Sequence, residues 1–150
     1  MSGLAKILAL GTAAVAVAVV AAACGTQRIA VPKNLAALHS GAVLFQQRCS
    51  GCHSLSYAAA NGSASNIRTA QATSGPNFNQ RCERPIDRVL YAIENGGFSG
   101  AYMPQNVVVG PDALAVAKFV ATYAGRQAPR ETGVLTCQHK PIGTLPAGSQ

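Results

Sequence analysis

The chain has 150 residues, room for one ordinary domain with some additional segments. Its 12 lysines and arginines outnumber 5 acidic residues, giving a formal net charge of +7. The basic residues are scattered from Arg28 to Lys140 with no dense run and little aromatic interleaving, which argues against binding to nucleic acid. We therefore expect acidic protein partners or an anionic membrane surface and no nucleic acid, with a merely well-solvated surface as the alternative.

Residues 1–23 have the features of a secretory signal peptide. Lys6 supplies a positive n-region, the stretch from Ile7 to Ala23 carries no charge, and small residues precede Cys24. We expect export, to the outer face of the cytoplasmic membrane or to the periplasm or cell-wall space. The Ala-Ala-Ala-Cys-Gly junction also resembles a bacterial lipobox, which implies that a lipidated Cys24 contacts the membrane surface. A soluble product and an uncleaved anchor are the alternatives.

Residues 24–33 are expected to form a tether before a single domain over residues 34–125. The first helix should begin with Asn34 as its N-cap and run toward the first pair of cysteines. Its apolar face, at i, i+3, i+4 and i+7, consists of Leu38, Gly41, Ala42 and Phe45. Glycine inside a helix costs about 1 kcal/mol relative to alanine. We therefore expect Gly41 to let another backbone come close, with a tolerated surface glycine as the alternative.

The pentapeptide at residues 49–53, Cys-Ser-Gly-Cys-His, is typical of the attachment site of a c-type haem. Two thiols three positions apart lie on one side of a turn and can each add to a vinyl group of one porphyrin. A thioredoxin-like motif would need a βαβ context, and a zinc site would need a second close pair of ligands, which Cys82 and Cys137 do not form. We therefore expect one haem c, bound covalently through Cys49 and Cys52.

The remaining cysteines suggest a disulfide. Export places the chain in an oxidising compartment. With Cys24 lipidated and two cysteines on haem, Cys82 and Cys137 are left to pair with each other. This bond would hold the tail, residues 126–150, beside the start of the helix expected at residues 85–94. Two free or separately paired thiols are the alternative.

The rest of the chain contains helical patterns separated by loops. Residues 55–80 are mostly small and polar and are expected to form a long loop, with a cofactor wall as its function or flexibility over Asn61 to Asn66 as the alternative. A helix over residues 85–94 has a proline in its first turn and a glycine pair after its end. A last helix should open at Pro111 and reach Ala124. The apolar faces of these two helices comprise Ile86, Val89, Leu90 and Ile93, and Val116, Phe119, Val120 and Tyr123. Without repeats or convincing strands, the expected fold class is all-α.

Together these landmarks resemble the class I monohaem cytochromes c over about residues 41–124. Gly-Pro-Asn-Phe at residues 75–78 resembles the family's G-P-x-L element, in which the carbonyl of Pro76 holds the second nitrogen of the haem histidine, here His53. The segment that ends in Met103-Pro104 resembles the one that supplies the distal ligand. The resemblance implies a cytochrome c-like fold, with helices wrapped around one covalently attached haem and the last helix crossing the first near Gly41.

The expected function follows from the ligands. Met103 is the only methionine besides the initiator, and a thioether as sixth ligand raises the potential of a haem. Core filling is the alternative role for Met103, His139 is the rival ligand, and His39 is expected to be exposed. With His53 and Met103 on the iron no coordination position is open, so we expect an electron carrier with redox protein partners rather than an enzyme. A haem c subunit of a membrane-bound oxidoreductase is the first alternative, and a gas-binding or peroxidase-type haem protein the second. The expected cofactor-binding residues are Cys49, Cys52, His53, Pro76 and Met103.

Overall fold

The computed structural model describes residues 28–64, 74–98, 103–126 and 142–143. The expected signal peptide, the lipidated Cys24, the rival ligand His139 and Cys137 lie outside these ranges, and those predictions stay predictions. In chain order the described elements are α1 (Ala36–Arg48), β1 (Ser54–Leu55), a 3-10 turn (Ser56–Ala58), β2 (Ala60–Asn61), α2 (Ile86–Asn95) and α3 (Gly110–Tyr123).

Helix α1 follows the predicted apolar pattern and starts slightly later than expected. Its N-cap is Leu35 rather than Asn34, and it ends at Cys49, whose N–H donates to the carbonyl of Phe45 at 2.8 Å. Three of the four predicted apolar positions are buried and Leu38 is partly buried. The pentapeptide therefore begins directly at the end of a helix that is packed on the core.

Helices α1 and α3 cross closely at Gly41. A Cβ at position 41 would overlap the backbone carbonyl of Ala115 and lie 2.8 Å from the Cβ of Phe119. Beside this point the rings of Phe45 and Phe119 meet edge to face at 5.7 Å, and both side chains are almost fully buried. The expectation that Gly41 admits another backbone is confirmed, because a side chain there would push the two helices apart.

Helix α2 begins after Pro85 and packs against α3. It ends at Gly96, which has φ of 75°, and the N–H of Gly97 donates to the carbonyl of Ala92 at 2.9 Å. This left-handed glycine satisfies the last turn as the sequence predicted. Of the predicted apolar face, Leu90 is partly buried and the other three residues are buried.

Residues 142–143 lie against the start of α2. The N–H of Ile86 donates to the carbonyl of Ile142 at 2.9 Å, and Ile142 packs against the core. Nearby Cys82 is disulfide-bonded, whereas both cysteines of the pentapeptide are free thiols. The partner of Cys82 lies outside the described residues, so its pairing with Cys137 stays a prediction. The contact at Ile142 lies where that bond would hold the tail.

The prediction of an all-α, cytochrome c-like fold is wrong in its fold class. The described residues contain three α-helices and also a small antiparallel sheet, in which Ser54 pairs with Asn61 and Leu55 with Ala60. A 3-10 turn links the strands, and Ala59 adopts a left-handed conformation with φ of 54°. Leu55 is fully buried. A backbone buried at this depth needs hydrogen-bonding partners, and the sheet supplies them where the sequence indicated only loop.

Part of the expected tether also belongs to the core. Val31 is 2% exposed, and Ile29 packs against the same cluster. Between them, the N–H of Ala30 donates to the carbonyl of Tyr57 at 2.9 Å, which joins this segment to the turn between the strands. The segment is short and mostly polar, so the sequence did not indicate that two of its apolar residues pack on the core. Among the described residues, no helix has the length and apolar character needed to cross a membrane.

We predict that Gly41→Ala lowers the free energy of unfolding by about 1–3 kcal/mol, as overpacking in a core does. The added methyl group would overlap the backbone of α3, which cannot rotate away as a side chain can. Urea unfolding of the purified protein measures the change. Ser40→Ala is the matched control, because it changes an exposed neighbouring position on the same helix. An unchanged or raised stability in Gly41→Ala would contradict the close crossing.

Candidate functional site

A cleft of about 280 Å³ lies between the three helices and the segments that precede α2 and α3. Its lining is mainly apolar and includes side chains from α1, α2 and α3, among them Phe45, Val89, Ile93, Val116 and Val120. The structure brings all the predicted cofactor-binding residues to this cleft, namely Cys49, Cys52, His53, Pro76 and Met103. Residues separated by more than fifty positions in the chain therefore share one cavity.

The pentapeptide turns tightly at the end of α1. The N–H groups of Cys52 and His53 both donate to the carbonyl of Cys49, at 3.2 and 3.0 Å. This turn brings the two cysteines and the histidine to one wall of the cleft. Cys49 is buried and Cys52 is exposed. Burial, with a smaller effect of Cys52, raises the pKa of the Cys49 thiol to about 12, so the thiol is neutral at physiological pH.

His53 is held in one orientation by a backbone carbonyl and an aromatic ring. Its Nδ1 lies 3.1 Å from the carbonyl oxygen of Pro76 and must donate, because the carbonyl can only accept. The ring stacks on Phe78 with centroids 4.9 Å apart and an interplanar angle of 15°. With the proton on Nδ1, the neutral ring keeps a lone pair on Nε2, the arrangement typical of metal-binding histidines.

The electrostatics of the cleft keep His53 neutral. Burial lowers the pKa of the imidazole, the hydrogen bond to Pro76 raises it, and the positive charge of Arg81 lowers it again. Burial is the largest of these effects, and the net shift is downward. A neutral ring is the form that can donate an electron pair to a metal ion.

Gly75 lies directly against the face of His53. A Cβ at position 75 would overlap the imidazole ring. The backbone here is fixed on both sides, because the N–H of Gly75 donates to the carbonyl of Cys52 at 2.7 Å and the N–H of Phe78 to the carbonyl of Ser54 at 2.8 Å. The segment 74–78 is thus attached to the pentapeptide and to strand β1.

The small sheet supports the same wall. The N–H of Gly62, just beyond β2, donates to the carbonyl of His53 at 3.1 Å. Ser54 forms a parallel bridge with Asn77, and the hydroxyls of Ser54 and Ser63 each accept a hydrogen bond from the other residue's backbone N–H, at 3.0 and 2.9 Å. The hairpin that the sequence did not predict therefore positions the histidine and the segment that binds its Nδ1.

Met103 lines the cleft beside the C-terminal end of α2. A Cβ at Gly96 would lie 2.8 Å from the carbonyl oxygen of Met103, so the two backbones touch. Three residues further on, the N–H of Asn106 donates to the carbonyl of Ile93 at 2.9 Å. The C-terminal end of α2 therefore sets where Met103, which is partly buried, enters the cleft.

Sequence reasoning missed a charged group at the edge of the cleft. Glu83 is only 7% exposed, and its two carboxylate oxygens pair with Arg81 and with Arg88, the latter at 3.0 Å. All three residues line the cleft. The sequence did not indicate this group, because acidic and basic residues at these positions have no spacing that distinguishes a buried ion pair from an exposed one.

Two further observations concern possible metal ligands. His39 is half-buried rather than exposed as predicted, because its Nδ1 donates to the carbonyl of Val31 at 2.8 Å, and it does not line the cleft. Within the described ranges, no three or more His, Cys, Asp and Glu side chains come together to hold a metal ion. His53 and Met103 are not such a group, because they are only two residues and one of them is a methionine.

Comparison of the chain with protein-family models, curated proteins and solved structures found no match. No solved structure therefore supports the cytochrome c-like fold that the sequence predicted. The support for a function comes from the residues that line the cleft and from the hydrogen bonds that hold them.

We predict that Gly96→Ala is more destabilising than Gly110→Ala, although both glycines have a positive φ, of 75° and 58°. Both substitutions should lose about 1–2 kcal/mol because an alanine is disfavoured in the left-handed region. Gly96→Ala should lose about 1–3 kcal/mol more, because its Cβ would press on the carbonyl of Met103, whereas a Cβ at Gly110 meets nothing within 4 Å. Chemical denaturation measures both. Equal losses would show that Gly96 and Met103 are not in contact.

Proposed function

We propose that this protein is an electron carrier with one haem c, attached covalently through Cys49 and Cys52, with His53 and Met103 as the axial ligands of the iron. One observation carries the proposal. The Nδ1 of His53 donates to the carbonyl of Pro76, which leaves Nε2 as a ligand in a cleft that Met103 and both thiols also line. The sequence resemblance of the pentapeptide and of the Gly-Pro element to class I cytochromes c supports the same function.

The residues present fit a haem in three respects. Both cysteines of the pentapeptide are free thiols, available for thioether bonds. Helical side chains give the cleft a mainly apolar lining, as a porphyrin ring requires. Gly75 leaves room for the face of the His53 ring, where any side chain would displace it.

The bound group would supply an iron that alternates between the ferric and ferrous states, and a thioether ligand favours the ferrous state. The protein's own part is to hold its ligands still. The carbonyl of Pro76 and the ring of Phe78 fix the imidazole of His53, and the end of α2 fixes the backbone of Met103. Little reorganisation is then needed when one electron arrives or leaves, because neither ligand has to move.

The same ligand set argues for electron transfer over catalysis. With a histidine and a methionine on the iron, no coordination position is open to a substrate. Redox proteins with acidic surfaces are the proposed partners, since Arg48 and Arg81 both line the cleft and are solvent-exposed. Export and membrane attachment through a lipidated Cys24 are also proposed, and their support is the sequence of residues 1–25 alone.

We predict that Met103→Ala and Met103→Leu retain the covalent haem and lose the weak near-infrared band of a sulfur–iron bond in the oxidised protein. Alanine should also open the sixth position, so that the reduced haem binds carbon monoxide readily and the potential shifts from that of the wild type. Absorption spectroscopy and redox titration measure these changes.

Val107→Ala is the matched control for this experiment. It shortens another side chain of the cleft wall and removes no sulfur, so the near-infrared band should remain. If the wild type lacks the band, or Met103→Ala keeps the wild-type spectrum and potential, Met103 is not the ligand. His139 would then be the next residue to substitute.

A further inference from the structure

Three side chains form a stack on the outer edge of the cleft, which we name the Arg88 stack: Arg88, Phe98 and Tyr91. The guanidinium carbon of Arg88 lies 4.1 Å from the centroid of the Phe98 ring. The rings of Phe98 and Tyr91 stack with centroids 5.5 Å apart and an interplanar angle of 20°. Phe98 lines the cleft while half of its surface faces solvent, and Tyr91 is 52% exposed. An apolar pair this exposed gains little from burial, so its contacts need another explanation.

The arginine of this stack is itself exposed but is paired with a buried carboxylate. Its Nε donates to Glu83 at 3.0 Å, and Glu83 is 7% exposed. A charge-assisted hydrogen bond to a buried carboxylate is stronger than a surface ion pair. Arg88 is therefore held at its Nε by Glu83, and its guanidinium group lies over the ring of Phe98.

Phe98 is close in the chain to the proposed methionine ligand. It stands two residues after Gly96, whose backbone touches the carbonyl of Met103, and five residues before Met103 itself. The hydrogen bond from the N–H of Asn106 to the carbonyl of Ile93 also joins the segment after Met103 to the end of α2. Movement of Phe98 away from the cleft would shift the backbone at Gly96, and with it the contact between Gly96 and the carbonyl of Met103.

We propose that Arg88 is a positioning residue for Met103: by holding Phe98 against the cleft, it limits how easily an added ligand displaces the methionine sulfur from the iron. This inference rests on the proposed function and adds to it a determinant of ligand exchange. Tyr91 has the second role in the stack, because its ring packs on that of Phe98.

The test is the affinity of the oxidised haem protein for imidazole, which competes with Met103 for the sixth position. Arg88→Gln should bind imidazole about fivefold more tightly than the wild type, since a partly exposed cation–π contact is lost. Arg81 remains to pair with Glu83 in this variant, so the buried carboxylate is not left alone. Tyr91→Ala should bind about threefold more tightly. It removes an exposed side chain outside the cleft lining, and it gives a reading even if Arg88→Gln incorporates little haem.

Arg126→Gln is the matched control. Arg126 is exposed, lies over the ring of Tyr123 at 4.8 Å, and does not line the cleft. Its substitution removes the same charge and the same kind of contact and should leave the imidazole affinity unchanged. Arg88→Lys, which keeps the charge, should restore part of the wild-type affinity.

The proposal is overturned if Arg88→Gln and Tyr91→Ala bind imidazole as the wild type does. It is overturned equally if Arg126→Gln changes the affinity as much as Arg88→Gln, because net charge would then be the cause. A wild-type protein without haem, or without the sulfur–iron band, contradicts the proposed function instead. The two failures are therefore told apart on the wild type alone.

Discussion

The site depends on the hydrogen bond that His53 donates from Nδ1 to the carbonyl of Pro76, 3.1 Å away. It assigns the imidazole proton to one nitrogen and leaves the other as an electron-pair donor. It also requires a backbone carbonyl to be brought close to the ring, which happens because Gly75 has no side chain. The sheet formed by residues 54–61 matters for this reason, since strand β1 binds the segment that presents Pro76.

Helix packing connects His53 and its hydrogen bond to the rest of the cleft. Phe45 on α1 contacts three other rings, those of His53, Phe78 and Phe119, at centroid distances between 5.7 and 6.3 Å. Its position follows from the close crossing of α1 and α3 at Gly41. One buried aromatic side chain therefore links the helix crossing to the histidine. A change in the helix packing would be expected to reach the site through this ring.

Much of this could be predicted from the sequence where a pattern extends over several turns. The apolar faces of α1, α2 and α3, the glycine that ends α2 and the closeness at Gly41 all follow from 3.6-residue periodicity and from helix-ending rules. The strands could not be predicted, because two residues each are too few to show an alternation. Ile29 and Val31 were missed for a related reason, since two inward residues in a short segment are too few to show a period. The Glu83 ion pairs were missed although Arg81 and Arg88 are close to Glu83 in the chain, because no sequence pattern indicates that this carboxylate is buried.

The proposed function requires a haem that is covalently bound to the cysteines of the pentapeptide. Extraction of the purified protein with acidified acetone, followed by the pyridine haemochrome spectrum of the protein fraction, shows whether such a haem is present. We expect one haem per chain to stay with the protein and to give the spectrum of a c-type haem, and we expect Cys49→Ser with Cys52→Ser to abolish this. Protein without haem, or with a haem that the solvent removes, would overturn the proposed function.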